Sequence, residues 1–385
     1  MNIHGSPVAG FESFDELLLS FSQQHAVPGM AMAVGRAGEL LYARSIGLAN
    51  VEENVPVEPH SLFRIASISK PVTAVAVLQR VECGELSLDA RVWELLQLDE
   101  PSDARWKLVT IRHLLQHTGG WDRNASFDPM FMSVEFATEA GTPPPAGPRE
   151  VIQAMLKRPL DFDPGTKSAY SNFGYCLLGR VLEALPGAVG RSYEQIVREG
   201  VFAKVSALSP RLGKTLTTST DEVRYYVQPP ETADSVFASG QQVPLPYGTW
   251  NLEAMDSHGG WIASAPDLVR FAMGCNEAAA DPNSTRPALL NRASIEEMFD
   301  VPTSFVPSDP GVWYGLGWNV RRTSSGTNRN TWHMGALDGT STILVRRSDG
   351  MTWCVLFNMR KNAAGEELAR LIDPLMHAAA DRVSA

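Results

Sequence analysis

Two serines and a lysine fall within four positions in the stretch FRIASISKPVTAVAV, residues 63–77 of a chain of 385. A serine hydroxyl becomes a nucleophile only when a base takes its proton. Lysine can be that base if burial and nearby positive charge bring its pKa from about 10.4 toward 7, a shift of roughly 4 kcal/mol. On a helix, residues three apart share a face, whereas neighbours in sequence diverge. Ser67 and Lys70 can therefore meet, while Ser69 and Lys70 cannot face each other, and Ser67 is the candidate nucleophile. A serine at a helix start also lies near free backbone N–H groups and the positive end of the dipole, which suits an oxyanion.

Further motifs lie downstream. The chain has one S-x-x-K and one Y-x-N, Tyr170-Ser171-Asn172, which follows a turn at Asp163-Pro164-Gly165. H-x-G occurs at His117, His258 and His333, and only His333-Met334-Gly335 falls on an expected strand. In this order, S-x-x-K, Y-x-N and H-x-G resemble the motifs of the serine β-lactamase and penicillin-binding-protein superfamily. TIRHLLQHTGG (110–120), YSNFGYCLLGRVLE (170–183), GGWIASAPDLVRF (259–271) and YGLGW (314–318) resemble the branch that holds class C β-lactamases, D-specific peptidases and family VIII carboxylesterases. The pattern is closest to the last of these, and the resemblance covers roughly residues 10–360.

The resemblance implies an α/β (α+β), β-lactamase-like fold: an antiparallel sheet flanked by helices, an inserted mostly helical domain, and the active site between them. It also implies roles. Ser67 is the acylated nucleophile, Lys70 its proton partner and Tyr170 a second general acid or base; either Lys70 or Tyr170 serves as base. Asn172 positions Lys70 or the substrate, and Gly335 lets the backbone approach the substrate. The backbone N–H groups of Ser67 and Ala336 form the oxyanion hole. His333 stands where class C β-lactamases commonly place a lysine that meets the substrate carboxylate. A histidine is at most partly charged near neutral pH and makes a weaker carboxylate contact, a departure shared with esterases and some peptidases of the group.

The elements that must position these residues are legible in outline. Phe14, Leu17, Leu18 and Phe21 have helical spacing, with Ser13 and Glu16 as a capping box. PGMAMAVGRAGELLYARSIGLAN reads as a β-hairpin around a turn containing Gly35 and Gly38. A helix is expected from about Ser67 to Val81, with Pro71 tolerated near its first turn. The segment 85–255 reads as short helices and long loops, with GTPPPAGPRE (141–150) a loop by its prolines. TWHMGA, TSTILVRRS and MTWCVLFNM read as strands joined by turns at LDG and SDG, followed by a helix over 364–379. Residues 1–84 and 256–385 are therefore expected to form one α/β domain from both termini, with 85–255 inserted as a mostly helical domain.

A net charge of −10 excludes a general nucleic-acid binder, which needs a basic face. No run of 18 apolar residues is present, so no membrane span is expected. The N-terminus lacks a signal-peptide pattern, and a cytoplasmic location is expected unless a leader was removed. Cys83, Cys176, Cys275 and Cys354 are far apart and read as free thiols. His113 and His117 are four apart, but Leu114 stands where H-E-x-x-H needs glutamate, so they read as a helix end closed by Gly119 and Gly120. His258 with its two glycines reads as a tight turn. No metal and no cofactor are expected. Trp121, Trp250, Trp261, Trp313, Trp318 and Trp332 lie in or near the motifs and point to an aromatic-walled cleft.

These readings converge on a serine hydrolase forming an acyl-enzyme on Ser67. The substrate is a small ester or amide: first a carboxylic ester of short or medium acyl group, with weak β-lactam hydrolysis. The alternatives are a β-lactamase or D-specific peptidase, an acyltransferase, or a non-catalytic penicillin-binding sensor.

Overall fold

The computed structural model describes residues 2–276, 279–280, 287–302, 311–323 and 328–383. Its largest element is a nine-stranded antiparallel sheet. The strands are β1 (Ile3–His4), β2 (Gly29–Arg36), β3 (Glu39–Asn50), β4 (Val55–Pro56), β5 (Val312–Tyr314), β6 (Asn319–Arg322), β7 (Arg329–Leu337), β8 (Thr340–Arg346) and β9 (Met351–Phe357). Their order is β1-β3-β2-β9-β8-β7-β6-β5, with β4 beside β3. The two central hairpins thus come from opposite ends of the sequence and join where β9 pairs with β2, Val355 opposite Met32.

Strand alternation divides the core. Met30, Met32 and Val34 of β2, with Trp353, Val355 and Phe357 of β9, pack under helix α1 (Glu12–His25) and the C-terminal helix, Leu368–Ala380. The opposite face of β2 presents Ala31, Ala33 and Gly35, and these small residues admit a helix closely. A Cβ on Gly35 would stand 2.8 Å from both Met273 Sδ and Val269 Cγ1 of the helix Ala265–Gly274. The β2–β3 turn is made by Ala37 and Gly38, both with positive φ, while Gly35 lies in the strand at a register shift.

The first helix begins at Glu12, and no side chain caps it. The expected capping box does not form because Ser13 already lies inside the first turn, where its hydroxyl donates to the Ala379 carbonyl of the last helix at 3.1 Å.

Helix α2 (Ser69–Glu82) is apolar almost all round and buried from Ser69 to Gln79, the pattern of a central core helix. A 3₁₀ turn, Ala66–Ile68, leads into it, so Ser67 sits just before the α-helix rather than at its first residue. Helix α3 (Asn172–Ala184) packs on α2. It starts at Ser171, whose hydroxyl accepts the Gly174 N–H at 3.2 Å. The remaining long helices are α4 (Ala265–Gly274) and α5 (Leu368–Ala380). Among the described residues no helix is long and apolar enough to cross a membrane. Cys83 is exposed and Cys176, Cys275 and Cys354 are buried, all as free thiols.

Candidate active site

Ser67 is partly exposed, whereas Ile68, Ser69 and Lys70 after it are buried. Lys70 has no exposed surface, yet its Nζ has three oxygen neighbours: Ser67 Oγ at 3.2 Å, Asn172 Oδ1 at 2.8 Å and the His258 carbonyl at 3.0 Å. Burial pushes the Lys70 pKa well below its usual value; Asp128 opposes that fall and Arg123 adds to it. A neutral amine is the form burial favours. Two of its three positions face carbonyl oxygens, which can only accept and so take N–H groups in either protonation state. In the neutral form the lone pair is left for Ser67.

Tyr170 completes the other side. Burial holds its pKa above the usual phenol value, an effect the nearby Ser67 hydroxyl opposes. Lys70 Nζ lies 4.6 Å from the centre of the Tyr170 ring, and the Arg123 guanidinium lies 4.8 Å from it. Ser69 faces elsewhere, its hydroxyl accepting the Trp261 N–H at 3.4 Å.

Strand β7 supplies the remaining wall. Period-two alternation puts His333, Gly335 and Leu337 on one face. A Cβ on Gly335 would stand 2.2 Å from the Ile65 carbonyl oxygen and 3.1 Å from the Ser67 nitrogen, so only glycine allows the strand this close to the nucleophile turn. Thr342 and Thr340 of β8 clamp the same junction, donating to the Ile65 carbonyl at 3.1 Å and the Arg64 carbonyl at 2.9 Å. Pairing of β6 with β7 ends at Asn319–Trp332, which leaves the backbone of 333–337, Ala336 included, as a sheet edge beside the 3₁₀ turn.

His333 is buried, and burial with the nearby Lys70 pushes its pKa down to about 3. Its Nδ1 lies 2.7 Å from the Met334 carbonyl, which only accepts, so Nδ1 carries the proton. Nε2 then accepts from the Tyr314 hydroxyl at 3.0 Å. This imidazole is neutral and fully engaged.

All seven residues singled out in the sequence lie around one cleft, and four were missed. Asp128 accepts from Asn172 Nδ2 at 2.6 Å, and Arg123 lies 3.9 Å from Asp128. Both come from a loop with no motif of its own. Tyr314 belonged to a recognised segment but had no assigned role. His117, read as part of a helix end, has positive φ and packs, tilted, between Tyr170 and Tyr314, with ring centres 4.4 and 4.5 Å away. His113 lies instead at the start of the helix Ile111–Leu115, exchanging cap bonds with Thr110, and that helix ends at Gln116, before the two glycines expected to close it. The turn at His258 supplies the carbonyl that Lys70 meets.

Two lobes meet at Ser67, Arg123, Ala336 and Arg360. The larger, about 550 Å³, runs past Tyr170, His333 and Trp332 toward Arg321, Arg370 and Asp373. The smaller, about 160 Å³, is bounded by Phe131, Trp250, Met255 and Leu337. Of the six tryptophans expected to wall a cleft, only Trp250 and Trp332 do so; Trp121, Trp261, Trp313 and Trp318 are core residues.

A family model described as β-lactamase matches residues 14–375. The chain is 34% identical over 185 residues to the probable fimbrial assembly protein FimD, serogroup H1, of Dichelobacter nodosus, covering 48% of this chain and 44% of that protein. The chain thus matches less than half the length of that relative. It is 29% identical over 315 residues to penicillin-binding protein 4 of Amycolatopsis lactamdurans (80% of this chain, 74% of that one). It is 31% identical over 275 residues to esterase EstB of Burkholderia gladioli (66% of this chain, 61% of that one).

Proposed function

The chain belongs to the β-lactamase family, and on that premise we propose that it is a serine hydrolase, a carboxylesterase for short or medium acyl esters, working through an acyl-enzyme on Ser67. Neutral Lys70 takes the Ser67 proton as Oγ attacks the ester carbonyl. The oxyanion that forms faces the N–H groups of Ser67 and Ala336, one such donor being worth about 3–4 kcal/mol. Tyr170, held protonated, gives its proton to the departing alkoxide and is refilled from the Lys70 ammonium. Water then repeats the sequence on the acyl-enzyme: Lys70 takes the water proton, the acid leaves, and Ser67 recovers its hydrogen.

Tyr170 borders only the larger lobe, so the alcohol departs there and the acyl group occupies the smaller one. A cavity of about 150 Å³ holds a benzene ring, which sets the acyl group at about six carbons. Tyr170→Phe is expected to cut kcat on the order of 100-fold or more, the usual worth of a placed proton donor. A loss below tenfold on an ester with a poor leaving group would remove Tyr170 from that role.

The observation that carries the ester reading is the neutral, doubly engaged His333. A substrate carboxylate beside His333 finds no charge on the imidazole, and a charged hydrogen bond from that side chain worth about 1.5–3 kcal/mol is forgone. The test compares kcat/KM for p-nitrophenyl butyrate and a chromogenic cephalosporin, with Ser67→Ala as blank. The ester is expected to lead by a wide margin. The runner-up, a β-lactamase or D-specific peptidase, is favoured by Arg321 and Arg370 in the larger lobe, which could meet a carboxylate there. Faster cephalosporin turnover would establish it.

A further inference from the structure

Asp128 lies behind the candidate site, its side chain only 14% exposed. Its Oδ1 accepts the Met130 N–H at 3.2 Å and caps a 3₁₀ turn, Pro129–Phe131. Its Oδ2 accepts Asn172 Nδ2 at 2.6 Å, and Asn172 Oδ1 in turn faces Lys70 Nζ at 2.8 Å.

A neutral amine both donates and accepts, so Lys70 alone would tolerate either end of the Asn172 amide. With Nδ2 toward it, the amine lone pair would be drawn to Asn172 and away from the serine. A carboxylate only accepts, so Asp128 admits one orientation, Nδ2 toward itself and Oδ1 toward Lys70. The His258 carbonyl takes a second Lys70 proton at 3.0 Å. The lone pair then has one polar partner left, Ser67 Oγ at 3.2 Å.

We propose that Asp128 is a positioning residue for the base: by locking the amide of Asn172 it aims the Lys70 lone pair at Ser67. The inference rests on Lys70 being the base in the reading above. Asp128 also sets when that base is available. The groups facing Lys70 are the Tyr170 and Tyr175 rings, the imidazoles of His117, His258 and His333, and the charges of Arg123 and Asp128. Burial holds all three imidazoles below the usual histidine range, so they stay neutral near pH 7. Asp128 is the one anion in the group, and it works against the fall that burial imposes on Lys70. Without it Lys70 loses its proton more readily. The base acts above its pKa, so the rising limb of the pH profile moves to lower pH.

The experiment measures kcat and KM against pH for wild type, Asp128→Asn and Asp128→Glu, on whichever of the ester and the cephalosporin is turned over. A failed ester reading therefore leaves this test intact. Asp128→Asn can still cap the turn but can also present the wrong amide end to Asn172. It is expected to lose on the order of 10- to 100-fold in kcat, with KM changed by less than about threefold. Its rising limb moves to lower pH, while Asp128→Glu, which keeps the charge, holds the wild-type limb. Wild-type kcat in Asp128→Asn, or a limb that stays in place or moves up, overturns the proposal. If Asp128→Asn fails to fold, Asp128→Ser, also a capping residue, is read by the same criteria. A wild-type profile unchanged by Lys70→Arg would instead overturn the reading of Lys70 as base.

Discussion

Ser67→Ala is expected to abolish turnover, by about 10⁴-fold or more, while Ser69→Ala keeps most of the wild-type rate. The two hydroxyls are two residues apart and differ in surroundings. Ser67 Oγ faces a deprotonable amine at 3.2 Å and is partly open to the cleft. Ser69 is fully buried and, among the described residues, its hydroxyl meets only the Trp261 N–H, at 3.4 Å. Removing it leaves a long, weak bond unmade and costs at most about 1–3 kcal/mol of stability. The check is a rate assay on both variants at matched folded concentration, confirmed by thermal melting. Equal losses in the two would overturn the assignment of Ser67.

Lys70→Arg is expected to be nearly as inactive as Lys70→Ala, each losing about 10²- to 10⁴-fold in kcat. An electrostatic role alone would survive arginine, which keeps the charge. A base role would not, because guanidinium does not lose its proton in proteins. Lys70 lies in a site that burial makes hostile to charge, and with its lysine pKa lowered the neutral amine is present at far lower pH than for a free side chain. Wild-type activity is accordingly expected to rise with pH through a limb well below about 10.4. His333, pushed down to about 3, contributes no limb between pH 5 and 8. Substantial activity in Lys70→Arg would move the base role to Tyr170.

Much of the frame was legible because its signals are local. The β2–β3 hairpin and the strands β7, β8 and β9 follow from short apolar runs punctuated by glycine turns, signals that are local in the chain. The α2 start was placed within two residues of where the 3₁₀ turn hands over to the α-helix. The Ser13–Glu16 cap failed because the winning contact, Ala379, is 366 positions away. The tryptophan reading failed for a related reason: proximity to a motif in sequence does not say which side of a strand or helix a ring takes.

By itself the sequence determined which residue types were at hand and in what order, Ser67 three before Lys70, then Tyr170 two before Asn172, then His333 two before Gly335. Helix and strand periodicities are local properties of the chain, so these pairings within elements could be read directly. Only the tertiary structure decided the state of each group. Lys70 is driven toward neutrality and His333 is held neutral by burial, and burial depends on what packs around a side chain from every element at once. Asp128, Arg123, His117 and Tyr314 acquire their places the same way, across sequence separations that no local pattern spans.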